Sequence, residues 1–331
     1  MIARIEPVPA GIDRPFWSVM IPTYRTAPEL LRAAIESVLA ARNASTAMQI
    51  EVVNDGAAAD VAAPADEFAG RAAFHTNDVN LGAADNFTEC VRRATGTWVH
   101  ILHADDAVRP DFYDTYGALI ERRPGCAAVS GQVVWVDEHD RWFGVSPLVP
   151  VDGDLMRHPT VTIAAHHPCN FASTVVARSA FEQVGGFDAR FAHTNDWEMW
   201  TRVSTVGPVG WVGEPHAFYR RHAASDSARV QGSSAYVTET LRVIETNVAR
   251  VDDPGARAGV RAAARTLLSD YALGNAAGHL AQGRNRAALR DAFWGVRVRP
   301  NLSTVGRGGD TAVRAVGALL RARLPGSDRS D

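Results

Sequence analysis

Two adjacent acids, Asp105 and Asp106, closely follow an apolar run that begins at Trp98 and ends at Leu102. Neighbouring carboxylates repel each other and are costly to remove from water together. A divalent cation relieves that repulsion, and Mg²⁺ and Mn²⁺ often bind one or two carboxylates together with substrate phosphates. A solvated turn is the alternative, because Asp is common in turns. The position after an apolar strand favours the metal site.

A third acid, Asp196, lies near the start of a helix predicted in TNDWEMWTRVSTVG. Asn195 and Glu198 have capping-box spacing, which predicts Asn195 as the N-cap and leaves the Asp196 carboxylate free in the first turn. Such a carboxylate complements the helix dipole. Trp200 is expected in the core, whereas Trp197 is either a core residue or a stacking surface for a ligand.

The elements predicted around these acids alternate between strand and helix, which predicts a mostly parallel sheet covered by helices on both faces. Capping-box spacing at Thr26 and Glu29 predicts the start of the first helix, and Pro22 is expected to end the first strand. The strands lie in FWSVMIPTY, MQIEVVNDG, RAAFHT and WVHILHADD, and the helices in TAPELLRAAIESVLAARN, NLGAADNFTECVRRATG and RPDFYDTYGALIERR.

Three polar clusters fall where predicted strands end: Thr23 to Arg25, Asn54 to Gly56, and His103 to Asp106. Ligands of open α/β sheets bind outside the carboxyl ends of the strands. We therefore expect these three clusters to meet at one edge of the sheet. After about residue 230 the composition is helical and carries no recognisable chemistry.

Composition excludes several other classes of protein. The formal net charge of −3 over 331 residues gives no sign of a nucleic-acid-binding protein. The three cysteines are widely spaced and odd in number, which indicates a reducing compartment. No stretch has the roughly 20 apolar residues of a transmembrane helix, and the N-terminus does not resemble a secretory signal. A cytoplasmic protein, bacterial by its abundant Ala and Arg, is expected.

Several stretches occur in the order that is typical of glycosyltransferase family 2, and the chain resembles that family over about residues 16 to 225. These stretches are SVMIPTYR, VVNDG, NLGAADN, ATGTWVHILHADD, VGGFDARF, NDWEMW and FYRRH. The resemblance implies the GT-A fold, and an inverting transfer of a sugar from a nucleotide-diphosphate sugar to a hydroxyl group. It also implies Mn²⁺ or Mg²⁺ as the cofactor.

The resemblance assigns roles to single residues. Asp196 matches the general base, and Asp106 and His222 match metal ligands. Asp55 matches an acid that accepts a hydrogen bond from uracil, so a UDP- or dTDP-sugar is favoured over a GDP-sugar. His167, Asn170 and Trp197 fall on the acceptor side. The remaining nucleotide-sugar-binding positions are Pro22, Thr23, Arg25, Gly82, Asn86, His103 and Asp105.

Four positions depart from the family's pattern. His103, Asn54 and Asn195 each replace an acid, and Asp85 stands where an arginine is common. These departures motivate a rival interpretation, a degenerate protein that binds a nucleotide sugar without turnover. Retention of Asp105, Asp106 and Asp196 favours the enzyme. A sugar nucleotidyltransferase is a weaker rival, because PTYRTAPE lacks the glycine-rich basic loop expected after its first strand.

The resemblance also predicts the domain organisation. Residues 1–15 are an N-terminal extension, 16–228 the catalytic domain and 229–331 a helical C-terminal region. Within the catalytic domain, about 16–125 bind the nucleotide sugar and about 126–228 the acceptor. The acceptor is expected to be a glycan precursor or a small natural product. The C-terminal helices are expected to pack or to form a homodimer, with peripheral membrane contact through the basic amphipathic TAVRAVGALLRARL as an alternative.

Overall fold

The computed structural model describes residues 2–42, 47–221 and 233–321, which divide into two compact units, 1–228 and 229–331. The first unit contains eleven strands among its described residues: β1 Trp17–Thr23, β2 Met48–Asn54, β3 Ala73–Thr76, β4 Trp98–Ile101, β5 Ala107–Val108, β6 Ala128–Val136, β7 Trp142–Val145, β8 Val151–Asp152, β9 Leu155–Met156, β10 Val175–Ala177 and β11 Val209–Arg220. Its helices are α1 Pro28–Ala41, α2 Ala62–Glu67, α3 Ala83–Arg93, α4 Phe112–Arg122, α5 Pro159–His166, α6 Arg178–Val184 and α7 Asn195–Val203.

The strands form one sheet in the order β3-β2-β1-β4-β10-β6-β11-β9-β8, with β5 paired to β11 and β7 to β6. The first four strands of this order are mutually parallel, and β6 pairs in parallel with β11. Strand β10 runs antiparallel between β4 and β6. The parallel strands β1, β2 and β4 are apolar and buried, as expected for a sheet covered on both faces. The mixed α/β fold with a mostly parallel sheet is confirmed.

Three local expectations are wrong. Strand β1 continues through Pro22 to Thr23. Helix α1 has Ala27 as its N-cap and no side-chain cap, so Thr26 and Glu29 form no capping box. Helix α7 begins one residue earlier than its expected first turn, because Thr194 is the N-cap and Asn195 is already helical. The Asn195 amide donates instead to the carbonyl of Ala192.

Glu198 shows why the second capping box does not form. Its carboxylate is buried and binds the guanidinium of Arg202 at 2.8 and 3.0 Å, one helical turn further along α7. Arg202 also donates to the carbonyl of Gly186. A buried carboxylate requires such a partner, and this requirement outweighs the weaker preference for a capping box. Glu198 therefore fixes α7 internally and leaves the next acid on the helix, Asp196, to other contacts.

The N-terminal residues pack against the rest of the first unit, to which they belong. The Ile5 side chain is buried, the Gly186 N–H donates to the carbonyl of Ala3, and the Arg178 guanidinium donates to the carbonyl of Glu6. The 1–15 segment is thus held by apolar burial and by hydrogen bonds to its backbone carbonyls. The separate domain boundaries of the sequence analysis stay predictions.

The second unit consists of four helices among its described residues: α8 Ser234–Ala249, α9 Pro254–Ala281, α10 Asn285–Val298 and α11 Leu302–Arg321. One face of helix α11 consists of small buried residues at helical spacing: Thr304, Gly308, Thr311 and Ala315. A Cβ at Gly308 would lie 2.5 Å from Val296 of α10, so these two helices approach closely. Over the described residues, none of the helices is both long and apolar enough to cross a membrane. A homodimer and a membrane contact stay predictions.

Candidate active site

The loop after β4 carries the two adjacent acids, and Asp106 is the more deeply buried of them. The Asp106 side chain is 2% exposed. Its Oδ1 accepts the backbone N–H of Arg220 at 2.9 Å, whereas its Oδ2 has no hydrogen-bond partner among the described residues. Burial and the neighbouring charge of Asp105 raise the pKa of Asp106 well above its usual value, although Arg220 acts in the opposite direction. Among the described residues, Arg220 therefore compensates the charge of this buried carboxylate only in part.

The Arg220 guanidinium holds this loop through hydrogen bonds to two backbone carbonyls and to the Asp140 carboxylate. Its Nε–H donates to the carbonyl of Asp105, and its two terminal nitrogens donate to the carbonyl of Asp137 and to Oδ1 of Asp140. The guanidinium thus ties the loop to the turn between β6 and β7. Arg220 belongs to the FYRRH stretch, and its guanidinium nitrogens donate to groups within the protein.

His103 lies in the same loop between two aromatic side chains. Its imidazole is 5.2 Å from the ring of Phe87 and 4.4 Å from the ring of Phe171, measured between ring centroids. One ligand atom from each of His103, Asp105 and Asp106 lies within 4.8 Å of the others, so these three side chains can hold a metal ion. The buried and unpartnered Oδ2 of Asp106 fits that interpretation, since a cation supplies the partner that this oxygen lacks. The other predicted ligand, His222, lies outside the described residues.

The second polar cluster centres on Asp55, which follows β2 and is 3% exposed. Its Oδ1 accepts the amide of Asn77 and the backbone N–H of Leu81, at 2.9 and 2.8 Å. Its Oδ2 accepts the amide of Asn80 and the backbone N–H of Gly82, at 3.1 and 2.8 Å. A carboxylate has about four acceptor positions, so the protein itself fills those of Asp55. In this structure Asp55 holds the 77–82 loop against the end of β2.

The residues around Asp55 support the same loop. Asn54 is buried, and its amide accepts from the N–H of Gly56 and donates to the carbonyl of Ala57, which explains why an amide can replace an acid there. Asn86 is also buried and bonds Asn77 and the carbonyl of Val53. Gly82 has a φ of 81°, a conformation that favours glycine. Its N–H is used by Asp55 rather than being free for an anion.

The first polar cluster borders this loop at the end of β1. Pro22 and Thr23 are buried, and the Thr23 carbonyl accepts the backbone N–H of Asp55 at 2.8 Å. Arg25 is exposed, and its guanidinium lies 5.1 Å from the ring centre of Tyr24. The structure thus joins the first two clusters directly. Of these predicted nucleotide-binding residues, Arg25 is the one whose side chain is open to solvent.

Asp196 accepts two hydrogen bonds at the start of α7. The backbone N–H of Trp197 donates to Oδ1 at 2.7 Å, and Nε2 of His167 lies 3.1 Å from Oδ2. Burial acts to raise the pKa of Asp196, but the charge and hydrogen bond of His167, the Trp197 N–H and the charge of His103 lower it below its usual value. The carboxylate is therefore ionised at neutral pH. An ionised carboxylate only accepts hydrogen bonds, so Nε2 of His167 carries the proton.

His103, in the loop of Asp105 and Asp106, carries a charge that helps to lower the pKa of Asp196. Residues from the β4 loop, the end of α5 and the start of α7 therefore share one polar site. The family resemblance assigns His103 to the donor side and His167 to the acceptor side. The contact of His167 with Asp196 was not predicted, and helix α5, which ends just before His167, was not predicted either.

Two of the predicted acceptor residues have contacts inside the protein. Trp197 is 3% exposed, stacks on His167 with ring centroids 5.2 Å apart, and donates its indole N–H to the carbonyl of Ile163. Its ring is therefore part of the core rather than an open surface for a sugar. The amide of Asn170 accepts the backbone N–H of Ala172. A contact of Asn170 with the acceptor stays a prediction.

The backbone is left-handed at four non-glycine residues of the described chain: Arg25, Asp140, His158 and His167. Three of these belong to the site, since Arg25 follows β1, Asp140 binds Arg220 and His167 binds Asp196. This conformation is disfavoured for residues with a Cβ and often accompanies function. A local sequence pattern does not reveal it, because none of the three is a glycine.

The family model described as glycosyl transferase family 2 matches residues 18–175. Relatives include the "PGL/p-HBAD biosynthesis glycosyltransferase" of Mycobacterium bovis and that of Mycobacterium tuberculosis. Each is 27% identical to this chain over 189 residues, which are 56% of this chain and 68% of the relative.

Similar solved structures include Staphylococcus aureus TarS 1-349 in complex with UDP-GlcNAc, with a TM-score of 0.63 at 12% identity over 95% of this chain and 94% of TarS. Another is GalNAc-T7 with UDP, GalNAc and Mn²⁺, with a TM-score of 0.52 at 17% identity over 70% of this chain and 48% of the other. At these identities the likeness establishes the fold. Together with the family match over residues 18–175 and the relatives, it supports a glycosyltransferase enzyme with the GT-A fold.

Proposed function

We propose that this chain is a family 2 glycosyltransferase that inverts the configuration of the sugar it transfers, in a single displacement that depends on a divalent cation. The observation that carries the proposal is the ionised Asp196 placed within electrostatic reach of the loop that bears His103, Asp105 and Asp106. One displacement needs one base, and it needs a group that stabilises the leaving diphosphate. The site supplies a candidate for each.

Asp196 is the proposed general base. Its pKa is lowered by its partners, so the carboxylate is in the basic form at neutral pH. It would accept the proton of the acceptor hydroxyl while that oxygen attacks the anomeric carbon from the face opposite the leaving group. An α-linked donor would then give a β-linked product. The Trp197 N–H holds one carboxylate oxygen and His167 contacts the other, which fixes the direction of the remaining lone pairs.

Asp106 would hold Mn²⁺ or Mg²⁺, with His103 or Asp105 close enough to contribute a ligand. When bound, the cation supplies positive charge that stabilises the diphosphate leaving group. The unpartnered Oδ2 of Asp106 supports this assignment. Arg220 does not fill this position, because its backbone N–H donates to the other oxygen, Oδ1, and its side chain binds elsewhere. His222, from the family pattern, is a second proposed ligand.

The proposed donor is a UDP- or dTDP-sugar. TarS, which shares the fold, has been crystallised with UDP-GlcNAc, and this supports a uridine nucleotide. The resemblance assigns the base contact to Asp55, whose acceptor positions are filled by the 77–82 loop. Recognition of uracil or thymine by Asp55 would therefore require one of these donors to yield its position. Pro22, Thr23 and Arg25 remain the proposed contacts along the base and ribose, and Asp105 the proposed contact near the ribose and the donor sugar.

The proposed acceptor is a hydroxyl group of a glycan precursor or of a small natural product. The mycobacterial relatives are named for PGL/p-HBAD biosynthesis, which supports an acceptor that is not a nucleic acid. Of the three acceptor residues predicted, two contact the proposed base: His167 through its imidazole and Trp197 through its backbone N–H. We therefore place the acceptor hydroxyl beside the Asp196 carboxylate.

A screen of UDP-, dTDP- and GDP-sugars tests this function. Calorimetry would measure binding with Mn²⁺, with Mg²⁺ and with EDTA, and slow hydrolysis of each donor would be followed by release of the nucleotide diphosphate. We expect binding and hydrolysis of a UDP- or dTDP-sugar that require the cation. Absence of cation-dependent binding to every donor would overturn the proposal, whereas binding without hydrolysis would favour a protein that only binds nucleotide sugars.

A further inference from the structure

We infer that His167 is a positioning residue for the general base: it donates a hydrogen bond from Nε2 to Asp196 and thereby orients the carboxylate for proton transfer. The inference rests on the proposed role of Asp196 and adds a second residue to it. The contact of 3.1 Å joins the end of α5 to the start of α7, over 29 positions of the chain.

The imidazole of His167 is held in place from three directions. Its backbone N–H donates to the carbonyl of Ile163 at 3.0 Å and closes helix α5. Its φ of 46° and ψ of 57° turn the residue out of the helix in a left-handed conformation. Its ring lies nearly parallel to the indole of Trp197, at an interplanar angle of 8°. The geometry thus fixes both the position of the ring and the direction of Nε2.

Trp197 couples this support to the base. The indole N–H donates at 2.7 Å to the same Ile163 carbonyl that accepts from His167, and the backbone N–H donates at 2.7 Å to Oδ1 of Asp196. His167 and Trp197 therefore bracket the two oxygens of one carboxylate. Because each oxygen has two acceptor positions, the described residues leave one position on each oxygen beyond these two bonds, and the acceptor hydroxyl can use it.

The left-handed backbone at His167 strengthens the inference. This conformation is disfavoured for a residue with a Cβ. Glycine or asparagine would adopt it more easily at the end of a helix. Histidine at this position is explained if its imidazole is needed by Asp196, which is partly buried and benefits from a proton donor.

Two substitutions separate a hydrogen-bonding role from a packing role. His167→Phe keeps an aromatic ring to stack on Trp197 and removes the N–H donor. His167→Gln loses the ring and keeps an N–H donor that can reach the carboxylate. Both retain a Cβ and neither is β-branched, so the backbone strain at position 167 is matched. Thermal unfolding would first establish that both variants are folded.

The readout is the turnover of donor hydrolysis, with the nucleotide sugar that binds in the screen and with Mn²⁺. Removal of a hydrogen bond to a charged group corresponds to a loss of about 10- to 100-fold in the rate that depends on it. We expect kcat of His167→Phe to fall by about that factor while the calorimetric affinity for the donor is unchanged, and His167→Gln to retain most of the turnover. Normal turnover in His167→Phe, or greater loss in His167→Gln than in His167→Phe, would overturn the inference.

Asp196→Asn, assayed in parallel, separates the assignment of Asp196 as the base from the positioning role of His167. If Asp196→Asn is inactive and His167→Phe is fully active, the base stands and the positioning role of His167 is wrong. If Asp196→Asn retains full turnover, the base assignment itself is wrong and the role inferred for His167 falls with it.

Discussion

The backbone N–H of Arg220 donates a 2.9 Å hydrogen bond to Oδ1 of Asp106, between residues that are 114 positions apart in the chain. The Arg220 side chain binds the carbonyl of Asp105 in the same loop and Asp140 on the β6–β7 turn. Strand β11, which ends at Arg220, therefore holds the loop after β4 in place. Because the guanidinium is directed elsewhere, Asp106 keeps a buried oxygen without a partner among the described residues.

Asp106→Asn is expected to stabilise the metal-free protein and to abolish cation-dependent donor binding. The amide can still accept from Arg220, and the burial that raises the pKa of Asp106 no longer acts against a charge. We expect the Tm in EDTA to rise by a few degrees, which corresponds to about 1 kcal/mol. Asp105→Asn, which removes the same charge from a less buried side chain, is the control. A lower Tm in EDTA for Asp106→Asn than for the unsubstituted protein would contradict this account.

Asp196→Asn is expected to keep donor binding and to lose transfer. The amide has nearly the shape of the carboxylate but cannot accept the proton of the acceptor, so kcat should fall by about 10²- to 10⁴-fold. Calorimetric titration of the donor with Mn²⁺ provides the internal control, because the substitution leaves the Asp105 and Asp106 loop intact. Full activity in this variant would remove Asp196 from the role of base.

Asp55→Asn is expected to loosen the 77–82 loop. One of the two oxygens becomes an N–H donor that faces the N–H groups of the loop, so at least one hydrogen bond to a charged group is lost. We expect a loss of roughly 2–3 kcal/mol in the free energy of unfolding, together with weaker donor binding. Asp85→Asn, at an exposed position of α3, is the matched control and should change stability by less than about 0.5 kcal/mol. Unchanged stability in Asp55→Asn would show that the loop does not depend on this carboxylate.

His100 is expected to make the protein less stable in mild acid. It is fully buried in β4 beside Tyr113 and the carbonyl of Phe171, and burial lowers its pKa to about 4. The unfolded chain therefore binds a proton below about pH 6.5, whereas the folded chain does not bind one until about pH 4. This difference removes up to about 3 kcal/mol of stability as the pH falls through that window.

The comparison with His100→Gln isolates this effect. Glutamine can hydrogen-bond but does not titrate, so its stability should fall less between pH 6.5 and pH 4 than that of the unsubstituted protein. Asp106 has a raised pKa and changes stability in the opposite direction, but it does so in both proteins and cancels in the difference. Urea unfolding at several pH values measures the two curves, and parallel curves would rule out the contribution of His100.

Much of the fold could be predicted because it depends on patterns of a few residues. The apolar run of β1 and the helical spacing of α3 each identify an element, and the order of elements predicts a parallel sheet. The helix caps of α1 and α7 were predicted wrongly, and at α7 the reason is that Glu198 binds the buried side chain of Arg202. Helix α5 was missed because its sequence, PTVTIAAH, has no clear amphipathic period.

The sequence by itself determined which chemistry is present and at which edge of the sheet it lies. Carboxylates that follow apolar strands must meet at the carboxyl ends of those strands, because parallel strands share one direction. The tertiary structure alone decided how each group is used. The acceptor positions of the Asp55 carboxylate are filled by the 77–82 loop. Among the described residues, Asp106 keeps one oxygen without a hydrogen-bond partner, and Asp196 is hydrogen-bonded to His167. The reason is physical: a hydrogen bond depends on distances of about 3 Å between groups far apart in the chain, and packing sets those distances.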